Sequence, residues 1–256
     1  MRAGDTYRDW MLTLKHVFLP NFCKACGLRL DTEENGFFCP HCWESSPLIE
    51  RPFCSACGKP HPAQVGLGGA SNFPCANCRE NPNPEIRRVF GAAYYDGAIA
   101  RAIKLLKFND KERLAGPLGE LMVDFAKAEM DTAEYDLIVP VPLHRVRERA
   151  RGFNQSRLLA RKILPAFPNA VLDESLERIR PTRTQSRLEP EERVANVRGA
   201  FAVRGENCAG RVVLLIDDVV TSSGTVTECG RALRRAGAKA VDVLAVALAA
   251  RRYWDD

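Results

Sequence analysis

The chain has 256 residues, with 46% hydrophobic and 27% charged residues and a formal net charge of +5. That composition belongs to an ordinary globular protein with enough chain for one large domain or two small ones, and it excludes a disordered or collagen-like chain. The mild positive charge permits an anionic partner without demanding one, and no apolar run approaches the roughly 18–20 residues of a membrane span.

The first twenty-two residues, MRAGDTYRDWMLTLKHVFLPNF, contain Arg8, Asp9 and Lys15 and lack a continuous apolar stretch, so a secretory leader is not expected. A cytoplasmic location follows as the expectation, and there thiols stay reduced. Eight of the ten cysteines nevertheless crowd between Cys23 and Cys78. They form four Cys-x-x-Cys pairs: Cys23/Cys26, Cys39/Cys42, Cys54/Cys57 and Cys75/Cys78. Gly27, Gly58 and Pro40 each follow a cysteine of these pairs. Such knuckles aim backbone amides at sulfur, and glycine relieves the tight turn. Two pairs supply the four soft ligands of tetrahedral zinc, and all-cysteine ligation leaves no open position for substrate, so a structural role is expected. The first four cysteines are assigned to one site and the last four to a second. A crossed pairing or a single occupied site also fits the spacing, as do a disulfide framework and iron–sulfur ligation. His41 and His61 could replace a cysteine as ligands, but lone histidines near knuckles read more simply as solvated. The segment has few apolar residues, so metal binding would supply much of its folding free energy, about 10 kcal/mol or more per site.

Asn81-Pro82-Asn83-Pro84 reads as a stiff linker. It divides the chain into a cysteine module over 1–84, with its cysteine-rich part at 21–80, and a second domain over 85–256. In the second domain VFGAAYY (Val89–Tyr95) reads as a buried strand, followed by helices over Ile99–Phe108 and from about Arg113 to Glu129. Lys104 and Lys107 on the first of these helices could extend a basic rim, but read more simply as part of a solvated face. DLIVPV (Asp136–Val141) is a short strand closed by prolines. Asn154–Leu164 is helical, VVLLID (Val212–Asp217) is the clearest strand, Thr225–Ala236 is a helix stopped by Gly237, and AVDVLAVALA (Ala240–Ala249) is another buried strand. Alternating strands and helices imply an α/β fold with a parallel sheet, which binds ligands at the C-terminal ends of its strands. Cys208 and Cys229 read as packing residues.

The chemistry concentrates where the strand Val212–Asp217 ends. Asp217 and Asp218 come first, and then Thr221-Ser222-Ser223-Gly224-Thr225 opens a helix. Small residues at a helix start expose backbone N–H groups to an anion and add hydroxyl donors, which suits a phosphate monoester. Two carboxylates would repel phosphate, but they accept hydrogen bonds from vicinal hydroxyls or act through a divalent metal. Acids beside a phosphate cradle describe a ribose 5-phosphate. A Walker phosphate loop is excluded, since no Gly-Lys-Ser/Thr is present.

VVLLIDDVVTSSGT resembles the 5-phosphoribosyl 1-pyrophosphate (PRPP) motif of type I phosphoribosyltransferases. The resemblance implies a central parallel sheet over roughly Arg88–Ala249, a hood, and magnesium bound with PRPP. More narrowly, the chain resembles the ComF family, which joins a cysteine zinc module to a phosphoribosyltransferase-like domain. The cysteine pairs, VPVPLHRVRERARGFNQS, RIRPTRTQSRLEPEERVANVRGAF and DDVVTSSGT carry this likeness. By analogy the basic segment Val139–Lys162, with seven Lys or Arg against one acid, contacts pyrophosphate, with Arg149, Arg151, Gly152 and Asn154 as candidates. Ser175–Phe201, which includes Arg178, Arg180, Thr182, Gln185, Arg193 and Asn196, would form a hood or lid. Two functions follow as expectations. One is transfer of the ribosyl 5-phosphate from PRPP, with Asp217 and Asp218 on the ribose and Arg151 stabilising the leaving pyrophosphate. The other is a role in DNA uptake, with the Arg-rich segment tracking incoming single-stranded DNA beside a helicase of the competence machinery.

Overall fold

The computed structural model describes residues 21–30, 36–61, 72–181, 196–221 and 224–249, apart from the side chains of Asn109 and Asp110. The expected sites at Ser222 and Ser223, and the hood residues Thr182, Gln185 and Arg193, lie outside the described residues.

Five strands form one parallel sheet: β3 (Arg88–Tyr94), β4 (Leu137–Pro140), β5 (Val171–Leu172), β8 (Val212–Val220) and β9 (Ala240–Leu248). Their order is β3-β9-β8-β4-β5, so β8 and β9 are central. Unbroken apolar runs such as Val212–Ile216 suit strands covered on both faces. Helices α3 (Gly97–Leu106), α4 (Ala115–Glu129), α5 (Arg145–Arg151), α6 (Gln155–Ile163) and α7 (Gly224–Arg235) connect the strands. Ile99, Ile103 and Leu106 of α3, Leu118 and Met122 of α4, and Leu159 and Ile163 of α6 have at most 1% of their surface exposed. Their three- and four-residue spacing is the signature of one apolar face per helix.

A polar clamp closes the end of the sheet where the strands begin. Asp242 of β9 is fully buried, yet Arg87 grips it through two bonds of 2.9 and 2.7 Å, Arg88 Nε donates to it at 2.9 Å, and the Tyr135 hydroxyl donates at 2.9 Å. A buried carboxylate persists only with such partners, and this one fastens β3 to its neighbour. The opposite end of the sheet is left for function.

The cysteine module contains β1 (Asn21–Phe22), β2 (Arg29–Leu30), α1 (Pro40–Glu44) and α2 (Ala76–Glu80). It lies on the outer edge of β3. Ile49 N donates to Ala92 O at 3.1 Å, Tyr94 N to Pro47 O at 2.9 Å, and Val89 N to Ala56 O at 2.8 Å. Phe53 is 1% exposed and packs on Phe125 of α4, with ring centroids 6.0 Å apart. An open edge strand presents unpaired N–H and C=O groups, and here the module supplies their partners. One hydrophobic core therefore runs from Cys23 and Phe53 through β3 into the sheet.

Among the described residues, no helix is long and apolar enough to cross a membrane. A short antiparallel pair, β6 (Leu176–Arg178) with β7 (Phe201–Val203), forms the described base of the segment expected to be a lid.

Candidate phosphoribosyl site and metal centres

Strand β8 runs three residues beyond VVLLID, because β9 continues beside it as far as the pair Val220–Leu248. Asp217 and Asp218 therefore lie inside the strand, not at its tip, and are 8% and 5% exposed. Thr221 is the first residue past the strand and is exposed, Gly224 opens α7, and Thr225 stands in its first turn. The acid pair thus lies near the C-terminal end of the sheet, with α7 opening six residues beyond Asp218. That is where open α/β sheets bind ligands.

The pair is held from the start of α6. Asn154 caps that helix: its Oδ1 accepts from Ser156 N at 3.0 Å, while its Nδ2 donates to Val141 O at 3.0 Å. The cap fixes the next two side chains. Ser156 Oγ donates to Asp217 Oδ1 at 3.1 Å, and Gln155 Nε2 donates to Asp218 Oδ1 at 3.1 Å. The Asp218 amide also donates to Asp217 Oδ1, at 2.9 Å. Burial, and then the neighbouring Asp218 charge, push the Asp217 carboxyl up to about 8. Of the two acids, Asp217 is therefore the one whose protonated form the fold favours.

Cations surround the pair. Arg151, in the last turn of α5, donates to Gln155 Oε1 and so reaches Asp218 through that amide. Burial pulls the Arg151 guanidinium down, opposed by the charge of Asp218. Gly152 ends α5 at φ 85°, a conformation that favours glycine, and the chain turns there into α6. Arg149 is exposed on the same helix. Arg178, at the end of β6, is lowered chiefly by burial and feels the charges of Arg147 and Asp217. Lys107, expected on a solvated face, instead places Nζ 2.8 Å from Asp218 Oδ2. Burial alone would lower the Lys107 ammonium, but the Asp218 charge leaves it raised.

Three residues of this site escaped sequence reasoning: Lys107, Gln155 and Ser156. From sequence Lys107 offers only an extension of a basic rim, since its partner lies 111 positions away in the chain. A signal did exist for the other two. Gln155 and Ser156 share the buried face of α6 with Leu159, Ala160 and Ile163, and polar residues on an apolar stripe imply buried partners.

The cysteines form two groups, Cys23/Cys26/Cys39/Cys42 and Cys54/Cys57/Cys75/Cys78, the pairing expected from their order. Within each group the sulfur atoms lie within 4.8 Å of one another, and all ten cysteines of the chain are free thiols. Cys57 N and Cys75 N point at Cys54 Sγ from 3.4 and 3.2 Å, and Cys39 N points at Cys23 Sγ from 3.4 Å. Hydrogen bonding from Cys57, with further help from backbone amides, pulls the Cys54 thiol down to about 4. The thiol of Cys42 is pushed up to about 12, first by its contact with Cys39. Four crowded sulfurs cannot all ionise without a cation among them. A soft, tetrahedral divalent ion fits this donor set, and zinc is its usual occupant.

Fold and site together define a class: a type I phosphoribosyltransferase-like sheet with a structural zinc ribbon module packed on its first strand. The double zinc ribbon domain model matches residues 14–79. DNA utilization protein YhgH of Escherichia coli (strain K12) is 32% identical over 228 residues, covering 88% of this chain and 96% of the relative. Competence protein F of Haemophilus influenzae is 28% identical, covering 83% and 97%. Competence protein ComFC of Bacillus subtilis is 24% identical, covering 78% of each. The chain belongs to the ComF family. Among solved structures, glutamine PRPP amidotransferase from B. subtilis is similar with a TM-score of 0.41 and 19% identity. The likeness covers 58% of this chain and 30% of that larger one.

Proposed function

We propose that this chain binds PRPP together with magnesium and serves in competence, handling incoming single-stranded DNA in the cytoplasm. One observation carries the ligand: a buried pair of carboxylates, Asp217 and Asp218, near the end of β8, followed in sequence by the small residues Thr221-Ser222-Ser223-Gly224-Thr225, with α7 opening at Gly224. In this reading the acids take the ribose hydroxyls, and the turn, including Ser222, Ser223 and Gly224, takes the 5-phosphate. Arg151 and its neighbour Arg149 face the diphosphate, with Arg178 approaching from the β6–β7 pair. Carboxylate oxygens are hard donors that suit magnesium, and Asp217 and Asp218 are the residues to hold it. Magnesium, when bound, would screen the diphosphate charge.

The DNA role is supported by the names of the relatives, which speak of DNA utilization and competence. The exposed arginines of α5, Arg145 and Arg149, offer phosphate contacts. The zinc module is structural in this reading, since its cysteines fill the metal's coordination sphere.

Transfer chemistry is the second reading. The half-buried guanidinium of Arg178, which feels the charge of Asp217, favours it, because a cation near the ribose and diphosphate would stabilise charge as pyrophosphate departs. Pyrophosphate release from PRPP over a panel of amines and bases decides between binder and enzyme.

Isothermal calorimetry with PRPP and magnesium tests the ligand. The Asp217→Asn/Asp218→Asn double variant should lose at least about tenfold in affinity with its melting temperature retained. Equal affinity in the two proteins would end the proposal.

A further inference from the structure

We infer that Lys107 is a positioning residue of this site: the resident counter-ion of Asp218 in the free protein, which passes to the ligand's diphosphate on binding. The inference rests on the phosphoribosyl reading above and adds an exchange of partners within it.

The two oxygens of Asp218 are treated differently. Oδ1 accepts a hydrogen bond from Gln155 Nε2 at 3.1 Å. Oδ2 is buried and receives no well-aligned hydrogen bond among the described residues; it meets Lys107 Nζ as an ion pair at 2.8 Å. A buried carboxylate oxygen satisfied by charge alone has room for a better-directed partner. A ribose hydroxyl or a divalent cation would be such a partner, and either would need the position that Lys107 fills.

Lys107 is built to leave that position. It stands at the C-terminal cap of α3, just past the last helical residue Leu106. Leu106 is fully buried, whereas Phe108 on the other side is 66% exposed, so the lysine lies where the chain emerges from the core. Its side chain keeps 35% exposure. An ammonium on a four-carbon stem can swing between acceptors without moving the backbone. A diphosphate arriving beside Asp218 brings negative charge against a carboxylate. The displaced ammonium is then a mobile cation close at hand to offset it.

The exchange predicts opposite effects of one substitution on two probes. Lys107→Met removes the charge and keeps the stem. Manganese binding, followed by electron paramagnetic resonance without PRPP, should tighten about tenfold, because the competing cation is gone. PRPP–magnesium binding, followed by calorimetry, should weaken about tenfold, because the diphosphate loses its contact. Lys107→Arg should recover most of the PRPP affinity. A purely structural lysine would move both affinities down together or neither. Manganese affinity that is unchanged or weaker in a folded Lys107→Met protein overturns the counter-ion role. Should wild-type protein fail to bind PRPP at all, the phosphoribosyl reading and the diphosphate half of this inference fall together, while the manganese arm still decides the counter-ion role.

Discussion

Gln155 stands between Arg151 and Asp218 with both ends of its amide used: Oε1 accepts from the guanidinium, and Nε2 donates to the carboxylate at 3.1 Å. This fixes which end of the amide faces which partner, since an arginine can only donate and an ionised carboxylate can only accept. A cation and an anion that could have collapsed into a direct ion pair are thereby held apart, each still able to turn to a ligand.

Gln155→Leu should separate these roles. The residue is 5% exposed, so the change leaves the buried Asp218 and the half-buried Arg151 without their hydrogen bonds and should cost about 1–3 kcal/mol of stability. PRPP affinity should fall by about tenfold or more, since Arg151 loses its anchor. Urea denaturation and calorimetry on the same preparation check both. Full PRPP affinity in a destabilised Gln155→Leu protein would reduce Gln155 to a packing residue.

Asp217 predicts a pH dependence of stability. Its carboxyl is pushed up to about 8 in the folded chain, by burial first and by Asp218 second, from an ordinary value of 3.8. Between those two values the folded state holds a proton that the unfolded state has released. Stability therefore falls as pH rises from about 4 to about 8, and levels off above that. Asp217→Asn removes this contribution, so its melting temperature should decline less than that of wild type across the interval. Parallel melting curves for the two proteins would refute the protonated Asp217.

The sheet was largely legible in the sequence because its strands are contiguous apolar runs; Val212–Asp217 and Ala240–Ala249 needed no distant partner to be recognised. The place of the acid pair near the C-terminal end of β8 was legible for the same reason, since it lies at the close of one such run. The end of β8 was misplaced because the strand continues through Val219 and Val220 on pairing with β9, a decision made by a neighbour. Lys107 was read more simply as solvated for an equivalent reason: helical spacing shows which face of α3 is apolar, but not that the lysine at its C-terminal cap meets Asp218 of β8. The cysteine pairs announced a metal module, yet nothing in their spacing indicated that the module would cover the edge of β3.

Gly58 tests that cover. It lies in the Cys54–Cys57 knuckle at φ 72°, and a Cβ there would stand 2.5 Å from Val89 O. Gly58→Ala combines a left-handed backbone with a clash against β3, so a loss of about 1–3 kcal/mol is expected. Gly27, the equivalent residue of the first knuckle, has φ 77° but nothing within 4 Å of its would-be Cβ. Gly27→Ala should therefore cost less, and denaturant midpoints of the two variants compare them directly. Equal losses would mean that backbone strain alone acts and that the contact with β3 contributes nothing.

Zinc removal should act on the sheet through this same contact. The second cysteine group holds the turn whose Ala56 carbonyl accepts from Val89 N at 2.8 Å, and the adjoining segment gives Pro47 O to Tyr94 N at 2.9 Å. Four thiols that cannot all ionise without a cation will not keep this turn closed once the metal is chelated. Hydrogen exchange by NMR should then show the Val89 and Tyr94 amides losing protection. Amides of β8, paired on both sides by β9 and β4, should hold theirs longer. A Cys57→Ser variant should reproduce the Val89 loss, whereas Cys26→Ser, in the group away from Ala56, should leave Val89 closer to wild type. Uniform loss of protection along β3 and β8 would show instead that metal and sheet unfold as one cooperative unit, with no separate clip on the edge.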